Sequence, residues 1–171
     1  MRLIILGAGK YGREIEDIAS QTGLYSEIEF LDDMSEAPYV VGKCADFIRF
    51  MDGSTVFHTA FGNNEFRKKW ITELKMHKAE IVSIIHPTAY ISPKAKISNG
   101  TAVLPKAVIN SYSVIKDVCI INTGAIVDHD CIINEFSHIC VGAIVKADNC
   151  IPAKMKIEAG TVVERGKYKG E

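Results

Sequence analysis

A small α/β half-fold of the mononucleotide-binding kind, followed by a parallel β-helix, is the architecture this 171-residue sequence predicts. Two observations predict it. A compact apolar strand, Leu3 to Leu6, runs directly into Gly7-Ala8-Gly9-Lys10-Tyr11-Gly12 and then into a helical stretch, while from Ile85 to Val163 every sixth residue is Ile or Val. The grammar changes near residue 85, so two domains are expected, residues 1–84 and residues 85–171.

In the first domain the glycines permit a tight turn and close backbone approach, and the free N–H groups of the next helix's first turn attract an anion, usually a phosphate. Tyr11, Ile15, Ile18 and Ala19 fall on one face of that helix, and Gly23 is its stop. Ile28 to Leu31 reads as a second strand ending in Asp32-Asp33. Asp32 lies twenty residues after Gly12, where a carboxylate at a strand end can accept hydrogen bonds from a ribose or base. The bland alternative is that the glycines serve only helix–strand packing and the two aspartates only a turn. Ala45 to Met51 then reads as a short helix and Thr55 to Thr59 as a strand. Asn64 to His77 reads as a helix with Phe66, Trp70 and Leu74 on its inner face, and Glu80 to Ile85 as a last strand. Alternating strands and helices imply a parallel sheet with right-handed crossovers. Ligands of such a sheet bind beyond the carboxyl ends of its strands, where Gly7 to Gly9, Asp32 with Asp33, and Phe61-Gly62-Asn63-Asn64 would emerge. About eighty residues hold only one half of a dinucleotide fold, so a mononucleotide or nucleotide sugar fits better than NAD.

In the second domain the Ile/Val register is unbroken at fourteen positions, and four residues after each stands a mostly small one, such as Ala107, Ser113, Cys119, Ala125 and Cys131. A period of six is neither the 3.6 of a helix nor the 2 of a half-buried strand, so the unit is a short strand plus a corner. Three units make an eighteen-residue coil, and residues 85–162 supply a little over four coils. Branched aliphatics fill the interior and small residues fit the corners. Cys119 and Cys131 hold the small-residue position, and without CxxC spacing the five cysteines read as reduced packing residues.

Inside the repeat, His129 stands between Asp128 and Asp130 at the third, outward-facing position of its hexad. A carboxylate beside an imidazole fixes its tautomer and makes it a better base near neutral pH. Asp130 or Asp128 could do this, and a solvated polar turn is the alternative. His138 follows nine residues later, half of a coil, so the two histidines belong on different sides of the prism. They can share a site only if a neighbouring copy supplies one of them, as in a cyclic trimer. His86, His129 and His138 lack H-x4-H spacing, so no metal is expected, and His58 and His77 read as structural or surface residues. The net charge of −1, with acids and bases interspersed, offers no basic face for nucleic acid or a membrane surface. No stretch reaches membrane-spanning length, and the N-terminal strand runs into a glycine turn instead of a cleavage site, so a cytoplasmic chain is expected.

Leu-Ile-Ile-Leu-Gly-Ala-Gly-Lys-Tyr-Gly at 3–12, Phe30-Leu31-Asp32-Asp33, Gly62-Asn63-Asn64 with Arg67, His86-Pro87-Thr88-Ala89, and Ile121-Asn122-Thr123-Gly124-Ala125 through His129-Asp130-Cys131 to Glu135-Phe136-Ser137-His138 follow one another over nearly the whole chain. In these segments the sequence resembles the sialic-acid O-acetyltransferase and bacillosamine-type nucleotide-sugar N-acetyltransferase family, which joins a small Rossmann-like domain to a left-handed β-helix. The resemblance implies a homotrimer that transfers an acetyl group from acetyl coenzyme A to the amino group of a UDP-linked amino sugar in bacterial surface-glycan biosynthesis, without a metal. It implies a nucleotide on the loop of Gly7, Ala8 and Gly9, with Tyr11, Gly62 and Asn63 alongside and the base near Asp32 and Asp33. His129 would take the amine's proton while Asp130 holds the imidazole. Asn122 would hold donor or acceptor by its amide, and His138 of the partner subunit would contact the thioester. Only 42 residues follow His129, fewer than the family's further coenzyme A-lining hexads, so the expectation is a shorter donor groove, a donor held differently, or a chain that no longer transfers acyl groups. Lys154, Lys156, Arg165, Lys167 and Lys169 are the candidates for the donor's phosphates, with an ordinary solvated basic end as the equal alternative. Two other functions remain open, O-acetylation of a sugar hydroxyl by the same histidine and a non-catalytic trimeric scaffold that binds nucleotide sugars. A nicotinamide oxidoreductase is disfavoured by the half-sized sheet.

Overall fold

The computed structural model describes residues 1–170. They divide into two compact units, and the chain passes from the first to the second at Ile84 and Ile85.

The first unit is a four-stranded parallel sheet. Strand β1 (Arg2–Leu6) lies between β2 (Glu27–Leu31) and β4 (Thr55–Thr59), and β3 (Val40–Gly42) forms the edge beside β2. All three pairings are parallel, so the carboxyl ends of the strands point the same way. Leu3, Ile4, Ile5 and Leu6 are all fully buried, which explains why β1 is a continuous apolar run: a central parallel strand is covered on both faces. Helix α1 (Lys10–Gln21) turns Gly12, Ile15, Ile18 and Ala19 inward, with Tyr11 half-buried. The stretch expected as a short helix is a 3-10 helix, Cys44–Phe50, whose buried Phe47 meets Phe57 of β4.

Two expectations for this unit need correction, and one strand was not expected at all. Strand β3 carries only three residues, too few for any periodic signal. The expected strand from Glu80 to Ile85 reduces to a single bridge between Phe57 and Ile81 and a two-residue strand at Ile84–Ile85. Helix α2 (Asn64–Met76) buries Arg67, Trp70, Ile71 and Leu74, whereas Phe66 is exposed. The cause is the phase of the helix. The Asn63 side chain caps it, accepting hydrogen bonds from the Glu65 and Phe66 N–H groups at 2.9 and 3.1 Å, and Arg67 instead of Phe66 lies on the face that packs inward with Trp70, Ile71 and Leu74. Arg67 is buried because its guanidinium donates to the Phe61 carbonyl at 2.9 Å and to Asn64 Oδ1 at 2.6 Å. Asn63→Ala is expected to lower stability by about 1 kcal/mol, read as a shift in the urea midpoint at unchanged slope.

His58 is buried on β4, where burial pushes its pKa down to about 4. The neutral ring donates from Nδ1 to the Val82 carbonyl at 3.0 Å, a structural role.

The second unit is a triangular prism of eighteen-residue coils. One side stacks the strands Ile84–Ile85, Ala102–Val103, Ile120–Ile121, His138–Ile139 and Lys156–Ile157. The next stacks Tyr90–Ile91, Val108–Ile109, Ile126–Val127, Ile144–Val145 and Val162–Val163. The third stacks Lys96–Ile97, Val114–Ile115, Ile132–Ile133 and Cys150–Ile151. Partners in parallel register are eighteen residues apart, as with Ile120 and His138. The second residue of each strand points inward, and Val103, Ile109, Ile115, Ile121, Val127 and Ile133 are all fully buried. Burying each such side chain stabilises the fold by about 2 kcal/mol.

The small residues also line the interior, with Ala107, Ser113, Cys119, Ala125 and Cys131 at 0% exposure. The residue before each of them holds left-handed backbone, from φ 56 at Asp130 to φ 65 at Gly124. Cys44, Cys119, Cys131 and Cys140 are buried free thiols, and Cys150 is half-buried. The stack continues past Val163, where the regular period ends. Cys150 N–H donates to the Tyr168 carbonyl at 2.8 Å and Tyr168 N–H to Asn149 Oδ1 at 2.9 Å, so a non-strand segment at Tyr168 hydrogen-bonds to the end of the third side.

Candidate active site

In the first unit three loops are laced together at the carboxyl ends of β1, β2 and β4. Gly7 N–H donates to the Leu31 carbonyl at 2.8 Å, and Ala8 N–H to Asp32 Oδ2 at 2.7 Å. Gly7 holds φ +106, and a Cβ there would lie 2.9 Å from the Ala60 carbonyl oxygen and 3.2 Å from the Phe61 ring. The expected convergence of the three loops is therefore present.

The three glycines have different jobs. Gly7 and Gly12 serve packing, since a Cβ on Gly12 would stand 1.9 Å from the Gly7 carbonyl oxygen. A Cβ on Gly9 would meet nothing within 4 Å, and the same is true of Gly62. Gly9 is the N-cap of α1 and offers its first N–H groups no side chain, nor does the first turn carry an acid. An uncapped helix start with open space before it is the arrangement that receives an anionic group.

Asp32 acts first as a clasp. Oδ2 accepts from Ala8, and Oδ1 accepts from the Met34 and Ser35 N–H groups at 2.7 and 2.8 Å. Burial works to raise its pKa, but these donors and nearby Lys43 hold it below the usual carboxylate range. The exposed Asp33 accepts the Cys44 N–H on Oδ1 at 2.9 Å. Asn63 uses its side-chain oxygen as the cap of α2.

In the second unit His129 and Asp130 occupy the turn after Ile126–Val127, both exposed. His129 Nδ1 lies 2.8 Å from Asp130 Oδ2, and the His129 N–H donates to Asp128 Oδ1 at 2.8 Å. The sequence left Asp130 and Asp128 as alternatives for the imidazole, and the geometry divides the work: Asp130 takes the ring and Asp128 takes the backbone. A hydrogen bond from Nδ1 to a carboxylate puts the proton on Nδ1 and leaves the Nε2 lone pair outward. The His129 pKa is raised chiefly by the hydrogen bond to Asp130; burial opposes the rise, and the charges of Asp128, Asp130 and Asp148 add to it.

Asn122 and His138 meet on another side of the prism. The Asn122 amide donates from Nδ2 to His138 Nε2 at 3.1 Å, and its orientation is set because Oδ1 accepts the Thr123 N–H at 2.7 Å. His138 thus presents its Nε2 lone pair to Asn122. Within one chain the residues predicted for the second unit's site form two pairs, His129 with Asp130 and Asn122 with His138, on different sides.

Of the C-terminal cations, Arg165 forks onto Asp148 at 2.7 and 2.6 Å, and Lys156 pairs with Glu158 at 3.0 Å. Lys169 lines a shallow groove of about 520 Å³ with Lys116, Ile132, Asn134 and Cys150. The sequence reading missed Asn110, whose amide donates to Asp128 Oδ1 at 3.1 Å, and Ser113, whose hydroxyl donates to the Asp128 carbonyl at 2.5 Å. Reading the repeat in columns of eighteen would have placed Asn110 next to Asp128. Among the described residues no cluster of three or more His, Cys, Asp or Glu could hold a metal ion, and no helix is long and apolar enough to cross a membrane.

Residues 2–74 match the family described as the PglD N-terminal domain. The UDP-N-acetylbacillosamine N-acetyltransferase of Bacillus subtilis (strain 168) is 30% identical over 107 residues, 58% of this chain and 50% of that protein. The chain thus spans about half the length of that curated relative. Among solved structures, the acetyltransferase domain of PglB from Neisseria gonorrhoeae FA1090, in complex with acetyl coenzyme A, superposes with a TM-score of 0.93 at 32% identity, covering 96% of this chain and 82% of that one. PerB from Caulobacter crescentus, in complex with CoA and GDP-perosamine, gives 0.81 at 27% identity, covering 99% of this chain and 92% of that one. Identity at this level across most of the Neisseria domain, with the same half-sheet and left-handed prism, means that the chain belongs to the bacillosamine-type nucleotide-sugar N-acetyltransferase family.

Proposed function

We propose that this chain transfers the acetyl group of acetyl coenzyme A to the amino group of a nucleotide-linked amino sugar, as a cytoplasmic homotrimer serving bacterial surface-glycan synthesis. The observation that carries the reading is His129, its Nδ1 held by Asp130 at 2.8 Å and its Nε2 facing outward. The amine nitrogen attacks the thioester carbonyl and forms the C–N bond. His129 Nε2 accepts the proton that the nitrogen sheds; the C–S bond then breaks and the imidazolium returns that proton to the leaving sulfur, which departs as the coenzyme A thiol. Asp130 steadies the imidazolium while it exists. A backbone N–H of the coil would stabilise the tetrahedral oxyanion, an interaction worth about 3 kcal/mol.

The diphosphate of the acceptor rests on the start of α1 at Gly9, and Asp33 faces the ribose or base beside it. In a trimer, a second copy brings its Asn122 and His138 to the His129 turn, which one chain cannot do because the two pairs lie on different sides of the prism. Relatives support this reading: the Neisseria domain is in complex with acetyl coenzyme A and the Caulobacter protein with CoA and GDP-perosamine.

The decisive experiment incubates the protein with acetyl coenzyme A and UDP- or GDP-linked amino sugars, reading free thiol and the mass of the sugar. Thiol release with a gain of one acetyl on the amine is expected. Release only with a hydroxyl acceptor would make the enzyme an O-acetyltransferase, and none with any acceptor would leave the scaffold reading. Gly9→Ala is expected to fold with an unchanged melting temperature, because its Cβ meets nothing within 4 Å, yet to weaken nucleotide-sugar binding about tenfold in calorimetry.

A further inference from the structure

We propose that Asn110 is a positioning residue for His129, acting through Asp128. The proposal rests on the reading of His129 as the base. Asn110 and Asp128 are eighteen residues apart and stack at one corner of neighbouring coils. A single carboxylate oxygen, Asp128 Oδ1, accepts both the Asn110 amide at 3.1 Å and the His129 N–H at 2.8 Å. It therefore ties the peptide of the base to the coil before it. The backbone side of the turn hangs from the same coil. Ser113 Oγ donates to the Asp128 carbonyl at 2.5 Å and accepts the Cys131 N–H at 3.0 Å, while Asp130 N–H donates to the Ser111 carbonyl at 3.1 Å.

The turn needs such a brace. Asp130 holds left-handed backbone at φ 56, and both His129 and Asp130 are exposed, so no apolar packing fixes the imidazole. Misplacing a catalytic group by even an ångström is costly to the rate. The amide also suits the charges around it. His129 faces Asp128 and Asp130 on its own turn and Asp148 on the next coil, the last paired with Arg165; Lys146, below Asp128, pairs with Glu164 at 2.6 Å. A carboxylate at position 110 would add a like charge beside Asp128, and a cation would cancel it. An amide holds Asp128 ionised and in place while changing no charge.

The test uses Asn110→Ala and Asn110→Asp. The His129 imidazole is titrated by NMR, with His129→Ala assigning its signal, and kcat and KM are measured for both substrates. Both variants are expected to lose about tenfold in kcat with each KM within about twofold. The titrations are expected to move in opposite directions. In Asn110→Ala the midpoint falls, because Asp128 is no longer held against the turn; in Asn110→Asp it rises, because negative charge is added. Midpoints that move together or not at all would make Asn110 merely structural and overturn the proposal, as would an unchanged kcat in both variants. If His129→Ala transfers acetyl groups at the wild-type rate, the reading of the base falls, and the two titrations still decide whether Asn110 positions the ring.

Discussion

His129→Ala is expected to lower kcat for acetyl transfer by about 10²–10⁴-fold with little change in nucleotide-sugar affinity, because a positioned general base contributes on that scale and the nucleotide site proposed above is on the other unit. The same residue sets the pH dependence. Only the neutral imidazole accepts a proton, so the rate rises with pH as His129 loses its own. The hydrogen bond from Nδ1 to Asp130 stabilises the imidazolium first, and the charges of Asp128, Asp130 and Asp148 add to it, so the limb lies above the ordinary histidine value near 6.5. Asp130→Asn removes the largest of these effects, and its limb is expected to move down toward that value while the plateau rate falls. A plateau unchanged in His129→Ala would remove the histidine from the chemistry. The linkage to stability has the same origin. The folded chain holds this proton more tightly than the unfolded one, so His129 stabilises the fold at acid pH, and that contribution is lost as pH rises through the raised value.

Gly12→Ala is expected to cost about 3 kcal/mol or more in the first unit. The added Cβ would sit 1.9 Å from the Gly7 carbonyl oxygen and 2.9 Å from its carbonyl carbon. Neither side can retreat. Gly7 is tied to the Leu31 carbonyl through its N–H at 2.8 Å and lies against Ala60 and Phe61, while α1 is fixed by Ile15, Ile18 and Ala19 in the core. A fall in melting temperature on the order of 10–20 °C follows for a unit of this size, measured by circular dichroism. Because the glycine loop shifts with the helix, nucleotide-sugar binding is lost together with stability, whereas Gly9→Ala separates the two. A Gly12→Ala protein that melts like wild type would show that the helix does not lie so close to the loop.

Local repetition made the architecture legible. The six-residue period from Ile85 to Val163 carries one instruction many times, and each copy is short enough to be read without knowing what it touches. The strand, glycine turn and helix at residues 3–19 are legible for the same reason, since the pattern is contiguous in the chain. Phe66 shows where such reading stops. Spacing alone allowed Phe66, Trp70 and Leu74 as an inner face, but the helix packs with Arg67 buried in place of Phe66. An arginine on the inner face has no signature in a hydrophobic pattern, because its acceptors, the Phe61 carbonyl and Asn64 Oδ1, are supplied by the fold.

The candidate site divides in the same way. His129 and the two carboxylates that flank it are neighbours in the chain, so their grouping could be read directly. By itself, then, the sequence determined the period, the aliphatic interior of the prism, the glycine turn and the place of a histidine among carboxylates, because each depends on residues within about one repeat of one another. Only the tertiary structure decided which carboxylate holds the ring and which holds the backbone, that Asp32 clasps a loop, that Asn122 occupies the Nε2 of His138, and that Asn110 braces Asp128. Most of these contacts join residues sixteen to twenty-four apart. They exist because coils close and strands align, and hydrogen bonds depend on tenths of an ångström that no pattern of residue types specifies.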